Sequence, residues 1–471
     1  ETVYVSNTGR PDGDGSETRP VLLLDAIRGY RVKPTARIFL LDRVHLVDSN
    51  TACSVGGVTI KANTPLLATL DLTGAQVADG YGDNATARNY LLLQGAGIVL
   101  EDLIIRSLPQ IRAVPERRLY PLGIGGIRVQ AASPTPETGR ATFKRCILID
   151  LQSVGVFSDN AGGVVAEDCI LNNFGQDATS TGDGELFYTQ NDSASPSKIF
   201  RRNLLGRCFG LAVQLYAESA PRNWHYLFED ITFLSELYAL AGQERNDVTY
   251  RRLLSWQSRL SLGGGDTANT DLSVVDCYVA GQSISVSSSA GTVVTGNTVV
   301  RLDSVGEMSI GLAQGDITVD NNHYYGGVVL KYNNTIYSWN DWQNVLGFDL
   351  NGSWSADLPA TNQSFVVPSD GTGYVLGQLT VYNWEELDSV TVDLADLGVT
   401  DGQQVKLRSI DDPLNDVRTL TVSGTSVTID MTIYDADTNP TGRTQSIPHG
   451  HDAKLNPAQD IRFGAWRVET A

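Results

Sequence analysis

The feature that most constrains this chain is a short phrase that recurs nine times: two or three apolar residues, one or two charged or polar ones, a turn residue, then more apolar residues. It reads Gly97-Ile-Val-Leu-Glu-Asp-Leu-Ile-Ile, Ala141-Thr-Phe-Lys-Arg-Cys-Ile-Leu, Val164-Val-Ala-Glu-Asp-Cys-Ile-Leu and Ile199-Phe-Arg-Arg-Asn-Leu-Leu, and continues to Thr318-Val-Asp-Asn-Asn-His-Tyr. Aligned on the turn, the phrases give a column of Leu103, Cys146, Cys169, Asn203, Ile231, Leu253, Cys277, Asn297 and Asn322. Its successive steps are 43, 23, 34, 28, 22, 24, 20 and 25 residues. The five shorter steps match one coil of three short strands and three turns, and the longer ones are that coil plus insertions. In such a solenoid each strand pairs in parallel with its equivalent about 4.8 Å along the axis, so equivalent side chains stack. The column is then a buried ladder: its Asn amides bond to turn backbone, and Cys146, Cys169 and Cys277 pack as small hydrophobes.

Composition agrees. With 46 Gly and only 19% charged residues, the chain suits many short strands and tight turns, with little helix. Thirty-five basic against 54 acidic residues give a net charge of −19, which repels nucleic-acid phosphates and anionic membranes. Five cysteines without a CxxC pair exclude a zinc ribbon or thioredoxin-like site. Without a run of about 18 apolar residues, no helix is expected to insert into a membrane. An opening Glu1 fits a mature secreted protein and equally a chain trimmed at its start.

Several stretches resemble pectin-lyase-like proteins, the right-handed parallel β-helix family of secreted polysaccharide lyases and glycoside hydrolases. Val3-Tyr-Val-Ser-Asn-Thr-Gly-Arg, Asp12-Gly-Asp-Gly and Leu22-Leu-Leu-Asp-Ala-Ile are similar to that family's first strand, glycine-rich loop and capping helix. Tyr337-Ser-Trp-Asn-Asp-Trp-Gln-Asn-Val-Leu-Gly-Phe-Asp resembles the segment that ends such a helix. From about Ser355 the rhythm changes to period-2 runs separated by Gly and Asp turns, as in an antiparallel sandwich. This part is similar to the β-sandwich appended to many secreted glycan-active enzymes. The expected organisation is an all-β chain, with a right-handed parallel β-helix over residues 1–355 and a β-sandwich over 356–471.

The resemblance implies a polysaccharide partner lying across one long sheet, flanked by the loops that enter and leave it. The strands after the variable loops carry Tyr188, Gln190, Gln214, Tyr216 and Gln243 at outward positions, able to stack on and hydrogen-bond a sugar chain, and Arg128 on an earlier one. Just past them come Asp159, Glu218, Glu244, Arg245 and Asp266, with Asp183 and Glu185 on the opposite lip. Two mechanisms fit. A glycoside hydrolase needs two carboxyl groups about 5 to 9.5 Å apart, and Glu218, Glu244, Asp159 and Asp266 supply such pairs. A lyase acting on a uronate-containing glycan needs a base beside a group that neutralises the carboxylate, and Arg245, Tyr188, Tyr216 and Arg128 serve there. The acidic edge would then hold Ca²⁺ through oxygen ligands, although the sequence assigns no metal site. Arginines and tyrosines beside the acids favour the lyase; the third reading is a noncatalytic glycan-binding or structural β-helix, such as a virus fibre or adhesin.

Other signals have plainer readings. Asp12-Gly-Asp-Gly-Ser lacks the closing Glu of a calcium loop, His449 and His451 have no third ligand nearby, and Arg201-Arg202 and Arg251-Arg252 read as a solvated charged face.

Overall fold

Each coil turns where a polar residue adopts a left-handed backbone between two apolar strands. The computed structural model describes all residues except 30–31, 48–51, 73–88, 108–123, 131–138, 152–154, 159–162, 175–184, 193, 209–210, 216–222, 235–236, 239–244, 264–268, 288–289, 303, 312–316 and 433–460, and the side chains of 89–90, 124–125, 223, 237–238 and 245. Two compact units are present: Glu1–Ile199 with Arg207–Leu211, and Phe200–Gly206 with the described residues from Ala212 onward.

Both units are built from the same coil, in which one strand is contributed in turn to each of three parallel sheets. In the first unit, Val99–Glu101, Ala141–Lys144 and Val164–Glu167 pair in the first sheet. Ile104–Arg106, Ile147–Ile149 and Ile170–Asn172 pair in the second, and Ile124–Val129, Val156–Ser158 and Phe187–Thr189 in the third. In the second unit, Asn223–Glu229, Arg245–Arg251, Thr270–Val275, Thr292–Thr295 and Ile317–Asp320 form the first sheet. Parallel neighbours joined by such crossovers wind right-handed, and the fold is the expected right-handed parallel β-helix. The short helix α1 (Leu23–Ile27) follows the first strand, as its sequence resemblance implied.

The column read from the sequence is a ladder in each unit. Leu103, Cys146 and Cys169 are fully buried in the first, and Asn203, Ile231, Leu253, Cys277, Asn297 and Asn322 are buried in the second. Within each unit the ladder carbonyls accept from the next coil, as in Ile147 N to Leu103 O at 2.8 Å and Ile170 N to Cys146 O at 2.9 Å in the first and Thr298 N to Cys277 O at 2.7 Å in the second. None of the five cysteines is in a disulfide and all are buried; burial pushes the Cys277 thiol up to about 12, which makes it a packing group rather than a nucleophile.

The residue before each ladder position has positive φ: Asp102, Arg145 and Asp168 in the first unit, Arg202, Asp230, Arg252, Asp276, Gly296 and Asn321 in the second. Arginine gains nothing intrinsically from that conformation. Ion pairing supplies the compensation. Lys61, Glu101, Lys144 and Glu167 stand in register on successive strands of the first unit. Arg145 bonds Asp102 through Nε at 2.7 Å and also Glu101. In the second unit Arg252 bonds Asp230 at 2.6 Å and Glu229 at 2.5 Å, and Arg251 reaches Glu229 as well. The charged face expected for Arg251-Arg252 is solvated, with the two side chains 42% and 46% exposed, and its charges interlock from coil to coil.

The Asn ladder ends on a buried carboxylate. Asn297 donates through Nδ2 to Asn322 Oδ1 at 2.9 Å, and Asn322 donates through Nδ2 to Asp349 Oδ1 at 2.7 Å. Asp349 Oδ2 accepts from Tyr324 and from Trp342 of helix α2 (Trp339–Asn344). The sequence segment resembling a β-helix terminus thus caps the ladder.

The last parallel pairing engages Ser353–Trp354. Beyond it come a five-stranded antiparallel sheet and the two-stranded pair Ser389–Asp393 with Ser426–Asp430. Leu379, Val405, Leu407, Trp466 and Val468 of the larger sheet share one core with Val390, Val392, Val427 and Ile429 of the smaller, which makes the expected sandwich.

Candidate functional site

Strict alternation along the third sheet of the first unit decides which side chains reach solvent. Ile127, Val129, Val156, Ser158, Phe187 and Thr189 are buried, while Arg128, Phe157 and Tyr188 between them are half-buried. Parallel register then stacks Arg128 on Phe157 and Phe157 on Tyr188. The two ring centroids are 5.1 Å apart at 42°, and the Arg128 guanidinium carbon lies 5.2 Å from the Phe157 centroid. An apolar platform of two rings beside a cation suits the C–H face of a sugar and an adjacent acidic group.

The turn leaving this sheet is held by Lys198, which is fully buried. Its ammonium donates to Ser158 Oγ at 2.5 Å and to the carbonyl of Gln190. Gln190 is half-buried at the end of the platform. Glu185, expected on a groove lip, is 1% exposed at the entry to its strand, where its carbonyl accepts from Gly155 N at 2.8 Å.

In the second unit, the strand Val213–Leu215 pairs with Leu237–Tyr238, setting Gln214 opposite Tyr238; Gln214 is only 7% exposed. Glu218, Tyr216, Gln243, Glu244, Asp159, Asp183 and Asp266 lie outside the described residues. Arg245 is placed by its backbone alone, as the first residue of Arg245–Arg251, paired with Asn223.

Those strands carry a pair that sequence reasoning missed. His225, Asp247 and Asp271 interrupt three successive first-sheet strands with positive φ, between the register pairs Trp224–Asn246–Thr270 and Tyr226–Val248–Leu272. His225 Nδ1 lies 2.6 Å from Asp247 Oδ2. In the neutral ring, donation from Nδ1 to the carboxylate makes Nε2 the basic nitrogen, the arrangement used by histidine general bases. The pair is 22 residues apart, the same step that separates Ile231 from Leu253. Coil arithmetic extended beyond the column would have found it. Among the described residues no three metal-ligating side chains converge, and the acids expected to hold Ca²⁺ are mostly outside them.

No protein-family model matches the chain, and no curated protein matches it. Solved structures similar to it include a complex of XylC with xylose, at 8% identity over 91% of this chain and 100% of that one, TM-score 0.42. Pectate lyase Pel9A aligns at 12% identity over 79% and 93%, TM-score 0.35. The GH136 lacto-N-biosidase from Eubacterium ramulus aligns at 11% over 76% and 67%, TM-score 0.30.

Proposed function

We propose that this is a secreted carbohydrate-active protein that binds a polysaccharide on the outer face of the third sheet and cleaves a uronate-containing glycan as a lyase. The observation that carries the reading is the in-register ladder Arg128, Phe157 and Tyr188. Stacking of sugar faces on Phe157 and Tyr188 fixes a chain along the coils, and the Arg128 fork pairs with a uronate carboxylate.

Elimination removes the proton beside that carboxylate. Its electrons form a carbon–carbon double bond as the neighbouring glycosidic C–O bond breaks, and the leaving oxygen takes up a proton. A cation at the carboxylate stabilises the charge that develops. In the first unit Arg128 is that cation and the Tyr188 phenol the nearest base on the platform. A second reading places the acid–base chemistry in the second unit, where Asp247 already orients His225.

The test is incubation with neutral and uronate-containing glycans, following ultraviolet absorbance of unsaturated ends together with reducing sugar. The lyase reading expects both to rise. Reducing sugar alone identifies a hydrolase, and silence across the panel leaves a binding protein. F157A is expected to raise KM about tenfold, given stacking worth roughly 1 to 1.5 kcal/mol, and Y188A to lower turnover about a hundredfold or more as well, because it removes the base. Loss of turnover in H225A with KM unchanged would move the chemistry to the second unit.

A further inference from the structure

The second unit contains a surface cleft of about 370 Å³ lined by Arg301, Leu302, Ser304, Leu358 and Arg462, with Gly326 and Ala356 completing the wall. No part of the platform described above contributes to it. We propose that this cleft is a separate binding site for an acidic sugar unit, one bearing a carboxylate or a sulfate, and that Arg301 and Arg462 recognise the anion.

Arg301 is fixed before any ligand arrives. Its Nη1 donates to Gly327 O at 2.9 Å and its Nη2 to Ser304 O at 3.2 Å, so two turns of the backbone set the plane of the guanidinium. Its Nε is buried without a hydrogen-bond partner. A guanidinium has five N–H donors, so Arg301 keeps donors in hand, and among the described residues it forms no carboxylate pair. An orphaned buried donor is unfavourable, and an anion beside the guanidinium offsets part of that cost electrostatically. Arg462 is also oriented: its guanidinium carbon lies 5.7 Å from the centroid of Trp256, itself 1% exposed.

Charge supports the assignment. The chain carries −19 overall, yet none of the described residues lining the cleft is acidic. Asp357 stands between Ala356 and Leu358 and is exposed; Asp303 lies outside the described residues. Two guanidinium groups in a wall whose described residues carry no acid focus positive potential on an otherwise negative molecule. Planar forks of this kind suit oxyanions with two accessible oxygens.

Size and lining favour a sugar over a bare ion. The volume lies at the lower end of small-molecule sites, about 300 to 1,000 Å³. Ser304 contributes a polar rim, and Leu358, 44% exposed, offers an apolar surface to C–H groups of a pyranose. The site is independent of the cleavage chemistry proposed above, because it shares no residue with the platform or with His225.

Titration calorimetry on the full chain tests it, using galacturonic acid, galactose 6-sulfate and neutral galactose as separate probes. The expected result is binding of at least one acidic sugar, at least tenfold weaker binding of galactose, and at least tenfold loss in R301Q, about 1.4 kcal/mol. Because Arg301 also ties two turns together, L358D is the second variant: it adds a negative charge at an exposed position and is expected to abolish binding with an unchanged melting temperature. The doubly substituted F157A/Y188A chain, which lacks the platform's stacking rings, is expected to keep the acidic-sugar binding that R301Q loses. Equal affinity for galactose, no heat with either acidic sugar, wild-type affinity in L358D, or loss of binding in F157A/Y188A instead overturns the proposal. A chain that cleaves no glycan but passes these measurements refutes the lyase reading and leaves this site standing.

Discussion

Asp349 shows how much one side chain carries where a solenoid stops stacking. A ladder of buried amides needs an acceptor at its last rung, and Asp349 receives Asn322 through both its backbone N and Nδ2, Tyr324 through its hydroxyl and Trp342 through Nε1. Removing the carboxylate strands four donors in a site with no solvent. D349A is expected to destabilise by about 3 kcal/mol or more, from the cost of unpaired buried donors; a urea midpoint displaced by less than about 1 kcal/mol in free energy would show the ladder ending elsewhere. Glu469 makes a different case. Burial alone would raise its pKa, but Arg467 and Arg408 outweigh that effect and hold it below the ordinary glutamate value. With the folded value depressed, its contribution is fully present above the unfolded pKa and is lost as pH falls through the folded one. E469Q should therefore flatten the acid limb of a stability-versus-pH curve. An acid limb as steep as the wild type's would assign that loss to other carboxylates.

At the scale of the coil, the ladder column and its period were readable because every turn demands the same thing: one apolar or amide residue pointing in, after one residue able to turn left-handed. The Trp342 to Asp349 segment was readable only through its resemblance to a β-helix terminus; the structure adds the reason, that a terminus has to satisfy the final amide. The candidate groove was less so. Insertions break the period, and Asp183, Glu185 and Glu218 fall within the longer steps, whereas His225 and Asp247 carry no local motif and meet only because one coil separates them. The charge dipeptides lay in plain view, but their alternation of sign becomes informative only once adjacent coils are known to be in register. A one-coil slip would set like charges opposite each other, so alternation specifies register as well as stability. Burial then decides the energy. Arg145 and Asp102 are 2% and 3% exposed, whereas the Arg252 side chain is 46% exposed. R145L should cost about 3 to 5 kcal/mol, because it leaves a buried carboxylate short of its partner. R252L, in the equivalent position of a later coil, should cost less than about 1 kcal/mol after solvent screening. Equal losses in chemical denaturation would mean the left-handed turn, not the ion pair, sets the energy.

For the molecule as a whole, the question is whether the sandwich is an appendage or part of the structure it follows. Within the second unit it is joined to the coils by a buried aromatic cluster. Tyr382 is fully buried; its hydroxyl donates to Ser255 O at 3.1 Å, and its ring lies 4.4 Å from Tyr278 and 5.3 Å from Phe463 by centroid. Phe463 in turn stacks on Trp256 at 5.3 Å, Trp384 Nε1 donates to the Tyr278 hydroxyl at 2.9 Å, and Thr232 bonds Thr380 at 2.7 Å. Contacts of this density, buried and hydrogen-bonded on both sides, couple the two parts thermodynamically, so that neither unfolds while the other keeps its surface covered. Calorimetry of the wild-type chain is accordingly expected to show the second unit's coils and the sandwich melting in one transition. Y382A removes the ring at the centre of the cluster, at a cost of about 3 to 5 kcal/mol for a buried aromatic, and should split that transition in two, with the sandwich signal separating from the coil signal. Two transitions already present in the wild type would make the aromatic cluster a contact without coupling, and one shared transition in Y382A would place the coupling in the Thr232 and Trp384 bonds that the substitution leaves intact.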